Sequence, residues 1–141
     1  MLLPRLGSTN ITPTSPAGST NPKSTKHIIG FLPYWETTSI DNLNFDLLDE
    51  IVYFGLHVGK DGEIATRDEE GNRDLGFSRF ATTLARLKEK SKDSQTRLTV
   101  AIILQDNDKI ETFLQDENAQ TNLIANVNEL ITQNSLTGIN L

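Results

Sequence analysis

Three short apolar runs set the limits on what this chain can fold into. They are His27–Leu32 (HIIGFL), Glu50–Val58 (EIVYFGLHV) and Arg97–Leu104 (RLTVAIIL). Each has strand length, is rich in β-branched and aromatic residues, and is apolar at consecutive rather than alternating positions. A strand of that kind needs cover on both faces, which is the habit of parallel sheets packed under helices. Pro33 ends the first run; Gly59 and Asp61-Gly62 punctuate the second.

Helical periodicity lies between and after the runs. Phe77, Phe80, Leu84 and Leu87 recur at helical spacing, with Arg79, Arg86, Lys88 and Lys90 elsewhere on the surface, and predict a helix ending near Lys92. Asp106 or Asn107 caps a short helix expected to bury Ile110, Phe113 and Leu114. A further helix runs from about Asn118 to Asn134, with Leu123, Ile124, Val127, Leu130 and Ile131 as its apolar stripe. Residues 42–49 have room for one helical turn, and Gly138–Leu141 opens a fourth strand. The order β, β, α, β, α, α, β predicts an α/β fold with right-handed crossovers. It reads as a repeating β/α series that stops inside a strand.

The first 26 residues are a different material. They carry four of the five prolines and three basic side chains but no acid, and Ile11 is the only large apolar residue of 7–26. Such a segment buries too little apolar area to offset its ordering entropy, so 1–26 is expected to be a disordered Ser/Thr/Pro-rich tether. Asn10-Ile11-Thr12 has the form of a glycosylation sequon. Met1-Leu2-Leu3 is too short for the apolar region of a signal peptide, unless it is the remnant of one.

Composition excludes several classes. Without cysteine there is no disulfide framework, thiolate zinc site or cysteine nucleophile. The net charge of −6 argues against a nucleic-acid backbone as partner. No apolar run approaches the roughly 20 residues of a membrane span. Asp106, Asn107 and Asp108 lack the glycine and glutamate of a calcium loop and read as a helix cap. Gly59–Gly62 lacks the phosphate-loop pattern, and Asp68-Glu69-Glu70 reads as a solvated stretch. No cofactor is expected.

Gly30–Trp35, Ile51–Gly55 with Asp61–Ile64, Leu98–Ile103, and Phe113–Leu141 together resemble the chitinase-like proteins of glycoside hydrolase family 18. Gly30-Phe31-Leu32-Pro33-Tyr34-Trp35 resembles the first barrel strand and its aromatic exit. Ile51-Val52-Tyr53-Phe54-Gly55 with Asp61-Gly62-Glu63-Ile64 resembles the second strand and the turn after it. Leu98–Ile103 falls where the third strand lies, and Phe113-Leu114 through Ile131 to Gly138-Ile139-Asn140-Leu141 resembles the approach to the fourth. The family signature D-x-x-D-x-D-x-E would place its first two acids at Thr137 and Asn140. Its last Asp would directly follow Leu141, with the catalytic Glu three residues past Leu141.

The resemblance implies that 27–141 is the N-terminal part, about three and a half β/α units, of a (β/α)8 TIM barrel. The third strand departs from the family's usual S-x-G-G end, reading Leu104-Gln105-Asp106-Asn107-Asp108. The implied chemistry is retaining hydrolysis of N-acetylglucosamine polymers with substrate assistance, a named exception to the paired-carboxylate scheme. The Glu protonates the glycosidic oxygen and the substrate's acetamido carbonyl attacks the anomeric carbon. With neither the Glu nor its neighbouring Asp in the chain, no residue here is expected to be catalytic, and 1–141 alone is expected to be inactive.

Tyr34, Trp35, Tyr53 and Asn140 are the expected substrate-binding residues. Tyr34 and Trp35 follow the first strand, on the barrel end where such enzymes work, though both can serve as packing residues. Tyr53 either lines the sugar site or packs in the core. His57 reads as a surface or hydrogen-bonded residue, and Glu36 as a solvated loop acid or a ligand to a sugar hydroxyl. The expected partner is an N-acetylated glycan, with self-association through the open sheet edge and a secreted or envelope-tethered location. Two alternatives remain: a non-catalytic carbohydrate-binding relative, and an unrelated doubly wound domain with a strand-end crevice.

Overall fold

In the computed structural model, residues 26–141 are described. The sequon and all but the last residue of the expected tether lie outside them. Four strands form one parallel sheet in the order β1-β2-β3-β4: β1 Ile29–Pro33, β2 Glu50–His57, β3 Arg97–Ile103 and β4 Gly138–Asn140. Three α-helices join them: α1 Leu75–Ser91, α2 Asn107–Gln115 and α3 Glu117–Asn134. The β1–β2 connection holds two 3-10 turns, Thr37–Asn42 and Phe45–Leu47, which drive Ile40 and Phe45 into the core.

Strand order and face coverage identify the architecture. Each strand adds beside its predecessor, so crossovers of one hand put every helix on one face. Leu32, Ile51, Tyr53, Leu56, Leu98, Val100 and Ile102 form one core with Phe80, Leu84 and Leu87 of α1 and Val127 of α3. The opposite face carries Val52, Ala101, Ile103 and Phe54, with no helix among them. A doubly wound sheet reverses direction and covers both faces. Among the described residues this one does neither, which is the arrangement of a partial TIM-barrel-like fold.

Two close approaches lock the layers. Gly76, in the first turn of α1, lies so near β2 that a Cβ there would stand 2.2 Å from the Gly55 carbonyl oxygen. Gly62, at φ +80°, sits against α3, where a Cβ would meet the Ala119 oxygen at 2.0 Å. Asn122 donates to the Asp61 carbonyl (3.2 Å) and Asn126 to the Gly62 carbonyl (3.1 Å), so the turn after β2 is pinned to α3.

The helical stripes differ from expectation at three places. Phe77 is exposed because the Gly76 approach turns the neighbouring position outward. No residue of α2 is buried, and Leu114 is exposed, because α2 packs on α3 rather than on the sheet. Ile124 is also exposed; at 100° per residue it falls at the margin of a stripe carried by Ala119, Leu123, Val127 and Leu130. Asp106 caps α2 as expected, accepting from the Asp108 and Lys109 N–H groups.

Candidate functional site

The carboxyl ends of β1, β2 and β3 open into a cleft of about 610 Å³, walled by Tyr34, His57, Asp74, Ile103 and the 58–74 loop. Parallel strands deliver their following loops to this end, which is where barrels of this kind place their sites. The Tyr34 N–H donates to the Phe54 carbonyl at 2.6 Å, carrying the β1–β2 ladder one residue beyond the strand. From α1, Arg79 donates to the Tyr34 carbonyl (2.9 Å) and Arg86 to the Thr37 carbonyl (3.1 Å). The aromatic exit of β1 is thus held from both sides.

An aromatic ladder runs along the helix-free face to these strand ends. Phe31 meets Phe54 edge-on at 6.5 Å between centroids, Phe54 meets Trp35 at 6.2 Å, Trp35 meets Tyr34 at 4.8 Å, and Tyr34 meets His57 at 6.2 Å. Trp35 is 55% exposed and Phe31 60%. Edge-to-face contacts fix the rings while leaving faces open to a ligand.

The four expected binding residues separate into different environments. Tyr34 and Trp35 stand together in the ladder. Tyr53 does not join them. It is fully buried on the helix face, its ring 5.4 Å from Phe80 and its hydroxyl donating to the Gly76 carbonyl at 2.7 Å. Alternation along the first half of β2, before the bulge at Phe54–Leu56, sends Ile51 and Tyr53 to the helices, so Tyr53 is a core residue rather than a wall of the cleft. Burial raises its phenol pKa above the ordinary value.

Asn140 lies on the helix-free face, where its amide donates to Thr99 Oγ1 (3.1 Å) and Glu50 Oε1 (3.4 Å). Glu50, 8% exposed, also accepts from Thr99 (2.8 Å) and Arg97 (2.9 Å). One carboxylate therefore joins β2, β3 and β4. Glu36 hydrogen-bonds Ser39 on the 3-10 turn.

Sequence reasoning missed four members of these groups. Phe31 and Phe54 occupy alternate-face positions on paired strands, and period-two bookkeeping would have found them. Glu50 and Asp74 were hidden because a buried carboxylate at an element's end looks like any solvated one. In the cleft wall, a side-chain hydrogen bond from Lys109 to Glu69 raises the Lys109 pKa. Among the described residues no His/Cys/Asp/Glu group has the arrangement of a metal site.

No family model matches the sequence, and no curated protein matches it. Solved structures do match the fold. A chitinase from Bacteroides thetaiotaomicron superimposes with a TM-score of 0.66 at 18% identity, over 82% of this chain and 35% of that one. The Ostrinia furnacalis group IV chitinase in complex with allosamidin gives 0.63 at 14% identity, over 81% and 32%. The Bacillus cereus spore cortex-lytic enzyme SleL gives 0.55 at 19% identity, over 84% and 27%. The fold is therefore chitinase-like. The chain spans about a third of the length of the structures it matches.

Proposed function

We propose that this chain forms part of the glycan-binding cleft of a family 18 chitinase-like hydrolase acting on N-acetylglucosamine polymers. The observation that carries the reading is the pair at the carboxyl ends of the strands, half-buried Tyr34 of the cleft wall and exposed Trp35 edge-on to it, continuous with Phe54 and Phe31 on the helix-free face. Pyranose rings have apolar faces that lie against open aromatic rings, and their hydroxyls need the polar groups that a cleft wall supplies. The chitinase-like fold supports this choice of ligand. In this reading hydrolysis is retaining and substrate-assisted, and Asn140 is a substrate-binding residue held in place by Glu50 and Thr99.

The carboxylates of the cleft wall support binding without turnover by residues 1–141. Asp74 caps α1, Asp106 caps α2, Asp61 accepts from the Glu63 N–H, and Glu69 pairs with Lys109. Asp68 accepts the Glu70 and Asn72 N–H groups in the same way, so each of these carboxylates is tied to the local backbone or to a neighbouring side chain. Self-association through the β1 and β4 edges, and a secreted or envelope-tethered location, belong to the same proposal.

Calorimetric titration of the polypeptide with an N-acetylglucosamine tetramer, against a glucose tetramer lacking the acetamido groups, tests it. Saturable binding of the first, weaker binding of the second and no cleavage of either are expected. Equal affinity for both overturns the substrate class, and release of smaller oligomers overturns the assignment of 1–141 as non-catalytic.

A further inference from the structure

The pairing of His57 with Asp74 is unused by the scheme above. The Asp74 side chain is 7% exposed and both its oxygens are engaged: Oδ1 accepts the Phe77 N–H at 2.7 Å, and Oδ2 lies 2.8 Å from His57 Nδ1. An ionised carboxylate only accepts, so Nδ1 carries the proton and a neutral imidazole keeps its lone pair on Nε2. Nε2 has no protein partner among the described residues. The His57 side chain is 34% exposed and forms the cleft wall beside Tyr34.

The rest of that wall carries charged side chains: carboxylates each partly engaged by the protein itself, and Lys60 and Arg73, which offer only donors. His57 Nε2 differs from them as an acceptor on a neutral ring, fixed in direction by a buried carboxylate and next to an aromatic ring. A group that satisfies such an acceptor must bring its own O–H or N–H, and a sugar hydroxyl does.

We propose that His57 is a specificity residue whose Nε2 accepts a hydroxyl hydrogen from the sugar ring seated on Tyr34, with Asp74 acting through it as a positioning residue that fixes the tautomer. The inference rests on the glycan-cleft reading and adds to it a particular recognition atom.

The test uses the full polypeptide labelled with 15N at its two histidines. At pH 8, where an ordinary imidazole is neutral, long-range 1H–15N spectra report the tautomer. The expected result is a His57 ring protonated at Nδ1, with its Nε2 resonance shifting on saturation with the N-acetylglucosamine tetramer. His57→Phe keeps a planar ring without the acceptor and is expected to weaken tetramer affinity about fivefold, one hydrogen bond's worth. His57→Gln, whose amide oxygen can accept, is expected to recover part of that loss.

A proton on Nε2 instead of Nδ1 overturns the proposal. So does tetramer binding that leaves the Nε2 resonance unmoved and His57→Phe as tight as the parent; either result leaves the glycan-cleft reading intact. Absence of tetramer binding by the unsubstituted chain overturns both. Should His57→Phe fail to fold, the tautomer and the ligand-induced shift on the unsubstituted chain still decide.

Discussion

Tyr53→Phe isolates the contact that separates a core tyrosine from a sugar-site tyrosine. The change removes one hydroxyl, which is fully buried and donates to the Gly76 carbonyl at 2.7 Å. The ring and its packing on Phe80 remain. Gly76 lies in the first turn of α1, so its carbonyl still accepts the N–H four residues on. No polar group is orphaned, and the loss is that of one net hydrogen bond, about 1 kcal/mol. For a domain of this size that corresponds to roughly 3–6 °C in melting temperature. Thermal and urea unfolding followed by circular dichroism measure it, with tetramer affinity read on the same sample. A lower melting temperature with unchanged affinity is expected. A variant as stable as the parent, or one that keeps its fold but loses the ligand, refutes the placement of Tyr53 in the core.

The same residue gives a pH signature. A phenol whose folded pKa is raised by burial adds stability that is fully present below the ordinary value near 10 and is lost as pH rises further. Chemical denaturation should therefore show stability falling above about pH 10 in the parent and a shallower fall in Tyr53→Phe. Gly76→Ala should destabilise by about 1–3 kcal/mol despite the better helix former, because the new methyl meets backbone at Gly55; a gain in stability would contradict that packing. Glu50→Ala should cost about 1–3 kcal/mol in urea unfolding, since Thr99 and Asn140 lose their acceptor while half-exposed Arg97 rehydrates. Glu50→Gln, which keeps an acceptor oxygen, should cost less.

Much of this fold can be read in the residues that alternate or repeat. The apolar runs around Ile51, Val100 and Ile102 specify buried parallel strands, and Phe80, Leu84 and Leu87 specify the helix that covers them. Periodicity weakens at Phe77, where the deciding contact comes from the Gly55 backbone elsewhere in the chain, and at Ile124, which falls at the margin of its stripe. Tyr34 and Trp35 are legible because Pro33 ends a strand in front of them. The Glu50 and Asp74 roles are not, because each depends on a partner 17 to 90 residues away in sequence. A carboxylate's burial is a property of the assembled sheet, and no local pattern encodes it.

Trp35 supplies the most direct measurement, because it is the chain's single tryptophan and stands 55% exposed on the aromatic ladder. It stands edge-on to Tyr34 of the cleft wall, 4.8 Å between ring centroids, so its fluorescence reports a sugar seated on that pair without labels. Titration with an N-acetylglucosamine tetramer should give a saturable blue shift or intensity change, since a seated ring removes water from the indole face, and the glucose tetramer should give a weaker one. A Trp35 spectrum that stays unchanged through millimolar tetramer would contradict the assignment of the Trp35–Tyr34 pair to glycan binding.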